Sequence, residues 1–186
     1  MTYVRRLTLI LPVLLPALLL GASTASADKD DKDEKKLHKE VVKAKNNWQK
    51  KDDSFSATLN NAYAYVIFPE VGKGGFIVGG AHGSGEVYEK QELIGHAKMT
   101  QTTIGAQVGG QTFSEVILFE NKEALERFKN SRFEGSAAAT AVGGTKGAAS
   151  ALKYKDGVAI MVLPLKGAMA EAAGGGQKFK FEPLEK

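Results

Sequence analysis

The stretch YAYVIFPEVGKGGFIVGGAHGSG, running from Tyr63 to Gly85, decides the fold. Its strand formers, Tyr65, Val66, Ile67, Phe68 and then Phe76, Ile77 and Val78, are interleaved with glycines at a density that ordinary strands avoid. Glycine weakens a strand unless a bulge, a sharp bend or a close backbone approach needs it. A second stretch, GAQVGGQTFSEVILFE from Gly105 to Glu120, repeats the combination. Outward from these, candidate strands fall at 63–68, 76–80, 85–90, 94–100, 103–110 and 112–119. They are short and separated by turn signals, as in an antiparallel meander or barrel. Further on, VAIMVL at 158–163 reads as a buried strand ended by Pro164, and 169–181 as two closing strands around Gly174, Gly175 and Gly176. Between them, 135–152 is a run of Ala, Gly, Ser and Thr that periodicity assigns to neither helix nor strand.

Helical periodicity appears twice. Leu37, Val41, Ala44 and Trp48 fall on one narrow stripe, and Lys32, Lys35, Lys36, Lys39, Lys43 and Lys50 cluster opposite it, predicting an amphipathic helix over 34–51. Asp52, Asp53 and Ser54 break that helix, and 54–61 reads as a short second helical turn. In NKEALERFKN, 121–130, Asn121 can cap a helix whose first turn carries Glu123 and whose apolar edge is Leu125 and Phe128. The expected class is α+β: a Gly-rich antiparallel sheet or barrel-like core, an N-terminal amphipathic helix and one further helix near 121–130.

The first 27 residues read as a cleaved signal peptide: Arg5 and Arg6, an apolar run from Leu7 to Leu20, then the small-x-small site Ala25-Ser26-Ala27. The run is interrupted by Pro12 and Pro16 and is shorter than the roughly 20 residues of a spanning helix. Export to the periplasm or outside the cell is expected, with peripheral membrane association open. Residues 28–33 then form a charged flexible tail, and 34–186 a single domain with its β-rich core at 63–181. Removing Arg5 and Arg6 from 25 basic residues leaves 23 against 21 acidic ones, too near neutrality to argue for nucleic acid. Cysteine is absent, so stability rests on a packed core rather than on disulfides.

Chemistry-bearing motifs are scarce. Gly72-Lys73-Gly74-Gly75 fails as a dinucleotide fingerprint, since Ile77 holds the sixth place, and as a P-loop, since Gly74 follows Lys73. It reads better as a bend between strands with Lys73 at its tip, where a lysine beside exposed N–H groups can meet a lipid phosphate. His38, His82 and His96 match no standard metal-ligand spacing and read as surface or loop histidines. Ser114 lies in no nucleophile elbow, and Glu115 and Glu120 are explained by strand polarity. The residues predict no enzyme, no metal and no cofactor. The helix at 34–51 carries the best physical case for a site: its lysines suit an anionic bilayer and Trp48 an interfacial anchor. Packing of the apolar stripe on the β core is the competing reading, and the two are compatible if the basic back faces lipid.

Three segments in order, FPEVGKGGFIVGG at 68–80, QVGGQTFSEVIL at 107–118 and MAEAAGGGQKF at 169–179, resemble the SYLF domain family over the chain from about Trp48 to its C-terminus. The resemblance implies a non-catalytic binding module. Eukaryotic members bind phosphoinositide (phosphatidylinositol-type) membranes through an amphipathic segment before the Gly-rich core, and some bind actin; an exported protein meets neither. The expected function is docking on anionic phospholipid, with Lys35, Lys36, Lys39, Lys43, Trp48, Lys50 and Lys73 as the lipid-facing residues. The alternative is an envelope-associated structural or protein-interaction module whose Gly-rich core binds a protein partner.

Overall fold

A computed structural model of the chain describes residues 23–75, 78–104, 111–130, 141–142, 146–166 and 177–184. Helices α1 (Ser23–Lys51) and α2 (Phe55–Asn61) precede strands β1 (Ala64–Gly75), β2 (Val78–Glu89), β3 (Glu92–Ile104) and β4 (Gln111–Phe119). Helix α3 (Lys122–Lys129), the two-residue strand β5 (Ala141–Val142), β6 (Val158–Lys166) and β7 (Gln177–Pro183) complete the order. One sheet results, ordered β5-β6-β4-β1-β2-β3-β7, antiparallel throughout except for β5 beside β6. The α+β class holds. The segment 28–33 lies within α1 rather than forming a flexible tail. The anticipated signal peptide up to residue 22 lies outside the described residues, as do 131–140, 143–145 and 167–176.

The strands are longer than periodicity suggests, because glycines expected to bend the chain lie inside them. Gly74 pairs with Gly80, and Gly75 with Gly79, across the β1–β2 ladder. The real irregularity sits at the Pro69-Glu70 step. Between Ile67 and Val71, β1 carries one residue more than either neighbouring strand, a β-bulge that accommodates a proline in a central strand. Gly85 lies opposite. A Cβ there would stand 2.5 Å from the Ile67 carbonyl oxygen and 2.8 Å from the Phe68 ring, so only glycine fits against the bulge.

The sheet is strongly curled. Gln177 on β7 hydrogen-bonds Glu115 on β4 at 3.1 Å, although four strand steps separate them. In a flat sheet those steps span roughly 19 Å. Helix α3 fills the opening, and its Phe128 ring meets Phe119 of β4 at 5.2 Å and Phe179 of β7 at 5.3 Å. The core is therefore barrel-like in curvature, but among the described residues no ladder joins β7 to β5 or β6, and the barrel is open. Inside the curl lies one apolar cluster, including Val66, Phe68, Val87, Met99, Ile117 and Phe179. A second cluster on the convex face joins Tyr65, Ile67, Val116, Leu118 and Met161 to α1 and α2.

Candidate functional site

Helix α1 lies on the convex face through the stripe read from the sequence: Val41 and Trp48 are fully buried and Ala44 nearly so. Trp48 stacks on Phe55 of α2 at 5.3 Å. Its indole N–H donates to Ser114 Oγ at 3.0 Å, and Ser114 in turn donates to the Phe68 carbonyl at 3.0 Å. This bond anchors the helix beside the β1 bulge. Trp48 is thus not an interfacial anchor in this docked state, because the sheet consumes the apolar face that lipid would need.

Polar contacts flank the stripe. Lys45 lies over the Tyr88 ring, 4.0 Å from its centroid, and donates to Tyr65 Oη at 3.1 Å. Burial lowers the Lys45 pKa, and the nearby Glu86 carboxylate partly restores it. Tyr65, itself raised to about 12 by burial and then by Glu86, donates to Gln91 Oε1 at 2.9 Å. Glu86 is buried, accepts from the Tyr88 hydroxyl and lies 3.0 Å from His38 Nδ1. Nearer the helix start, Glu34 approaches His96 Nδ1 at 3.7 Å. His38 and His96 therefore join α1 to the sheet, and exposed His82 lies in β2 rather than in a loop. Among the described residues no three His, Asp or Glu side chains converge as a metal site.

The opposite face of α1 is exposed and basic. From residue 35 to 51 the helix carries seven lysines and one acid, Glu40. Lys35, Lys36, Lys39, Lys43 and Lys50 all face solvent. Lys35 pairs with Asp31 at 2.6 Å and Lys36 with Glu40 at 3.9 Å, exposed i,i+4 pairs that leave most of the positive potential outward. The structure thus brings together every lysine predicted on the helix. It separates Lys73, which lies within β1, paired with Ala81 and Gln111, rather than at the tip of a bend.

Two buried carboxyls were read from sequence as ordinary strand or helix-breaking residues. Asp52 accepts from the Gly147 N–H at 3.1 Å, the Ala149 N–H at 2.7 Å and from Ser54, tying the end of α1 to the 146–151 turn. Burial alone would raise its pKa, but these bonds outweigh it and the net shift is downward. Glu115 is fully buried inside the curl, so strand polarity does not explain it. Burial pushes its carboxyl up to about 7, against a smaller lowering by the Gln177 hydrogen bond. Alternation in β4 carried a signal: Glu115 shares parity with the core residues Phe113, Ile117 and Phe119.

No protein-family model matches the chain. It is similar to Beta cell expansion factor A of Aeromonas veronii, 29% identical over 122 residues, which cover 65% of this chain and 46% of that protein. The match thus spans about half the length of that relative.

Proposed function

We propose that this protein is an exported, SYLF-like, non-catalytic module that docks on anionic phospholipid through the exposed lysine face of α1. The observation that carries the reading is the placement of Lys35, Lys36, Lys39, Lys43 and Lys50 on the solvent side of a helix whose apolar side is already committed to the sheet. Such a surface binds by charge rather than by insertion, each lysine near an anionic bilayer contributing about 1 kcal/mol at low salt. The order of the three motif segments supports the family reading, and the similarity to Beta cell expansion factor A supports a related fold over the matched residues.

The test is co-sedimentation of the purified protein with neutral and anionic vesicles at low and physiological salt. Binding is expected on anionic vesicles alone and is expected to weaken as salt screens the charges. Replacing Lys35, Lys36, Lys39 and Lys43 with Gln should weaken it by about 2–4 kcal/mol, roughly thirty- to eight-hundred-fold. Absence of binding to anionic vesicles under every condition would overturn the reading and favour a protein partner for the Gly-rich core.

A further inference from the structure

Inside the curl, three buried polar side chains meet where β4 and β7 approach each other. Glu115 on β4 and Gln177 on β7 are hydrogen-bonded, and Gln101 on β3 is the direct ladder partner of Gln177. All three are at most 3% exposed. Four of their polar atoms have no hydrogen-bond partner among the described residues: Glu115 Oε1, Gln177 Oε1, and both Gln101 amide atoms. Each such orphan carries a desolvation penalty that a folded protein seldom leaves uncompensated. Their surroundings are apolar, with Phe113, Met99 and Phe179 next along the same face. Among the described residues no cationic side chain contributes to the Glu115 environment, which is set by burial and by Gln177.

The chemistry of the orphans specifies what would satisfy them. Three are acceptor oxygens, one of them on an ionisable carboxyl that has no positive partner among the described residues. A primary ammonium carries three N–H donors, a positive charge and no acceptor. The remaining Gln101 amide donor suits a hydroxyl or phosphate oxygen on the same molecule. We propose that Glu115, Gln101 and Gln177 form an internal binding site for the primary ammonium group of a small amino-alcohol-type molecule, free or as a lipid head group. Glu115 supplies the charge, and the two glutamine carbonyls complete a three-oxygen cradle. The site lies on the opposite side of the sheet from α1 and is independent of the lysine face.

The test titrates the purified protein with ethanolamine, using choline as the control, because choline keeps the charge but has no N–H donor. At ten times Kd, ethanolamine should raise Tm by roughly 3 °C, and choline should not. Glu115→Gln and Gln101→Leu should each abolish the response, while the wild-type contrast between the two ligands stands even if a variant fails to fold. Vesicles with and without phosphatidylethanolamine, in an otherwise neutral bilayer, distinguish the sources: Glu115-dependent capture assigns the lipid head group, and a response to free ethanolamine alone assigns a soluble amine. Equal responses to ethanolamine and choline, no response to either, or an undiminished response in Glu115→Gln would each overturn the proposal. So would a structure at saturating ethanolamine with only water at the three oxygens.

Discussion

Glu115 is the residue at which burial and charge conflict most sharply. Its carboxyl is raised from 4.5 in the unfolded chain to about 7 in the fold, so the folded state holds the proton more tightly. Its contribution to stability is therefore fully present below about pH 4.5 and is lost as pH rises through 7. The size of the shift corresponds to about 3 kcal/mol. Urea unfolding of Glu115→Gln and the wild type at pH 5 and pH 8, without added ligand, measures it. The variant should gain about 3 kcal/mol on the wild type between the two conditions; an identical difference at both would show that Glu115 does not titrate as its burial implies. Asp52 behaves oppositely, since its net lowered pKa means that its contribution is present above about pH 3.8 and lost in acid. Sequence reading treated both as unremarkable acids, because periodicity registers apolar residues and is silent about a carboxyl at a core position. The parity of Glu115 with Phe113 and Ile117 was the available sign.

At the scale of the element, α1 was legible because its apolar and basic residues obey one period. The 3.6-residue repeat placed Val41, Ala44 and Trp48 on one side and the lysines on the other, as found. Whether the stripe met lipid or sheet depended on residues distant in sequence, such as Ser114, and no local pattern announces those. The chain contains a single tryptophan, which makes the docked state directly measurable. Trp48 emission should be that of a buried indole and should stay unquenched when the protein binds anionic vesicles containing brominated acyl chains; strong quenching would mean that α1 leaves the sheet and inserts. The bulge in β1 was not located: the strand was expected to end at Phe68, before Pro69, and the excess of glycines pointed to bends at the wrong places. Gly85→Ala should cost about 3 kcal/mol in chemical unfolding, because the clash is with backbone and cannot relax by a side-chain turn. A cost near zero would show that the bulge yields. The β2–β3 hairpin was expected from the adjacent strands at 85–90 and 94–100, and they do pair, but its turn carries no local signal. Its two turn residues, Lys90 and Gln91, take φ of 49° and 72° without the Asn-Gly signature of such turns, and Gln91 is held there by bonds to Tyr65 and Leu59.

For the whole molecule, the sequence supplied the class and the antiparallel character, since short alternating runs with turn signals permit little else. It left open sheet against barrel, because closure depends on how far the strands coil. The Glu115–Gln177 bond and the Phe128 contacts answer that question in space: the sheet curls almost onto itself and α3 occupies the gap. One consequence is a molecule with two separate chemical features, a small polar cluster buried in an apolar interior and a basic exterior helix. The proposed function belongs to the exterior, where one basic face rather than net charge is proposed to bind the membrane. The most direct test compares two charge-matched variants on anionic vesicles at low salt. One replaces Lys35, Lys36, Lys39 and Lys43 with Gln, and the other replaces the exposed Lys122, Lys153, Lys155 and Lys166, which lie outside α1. The account predicts that the first loses vesicle binding by at least about thirtyfold while the second stays within a few-fold of the wild type. Equal losses in both, or retention by the first, would contradict it.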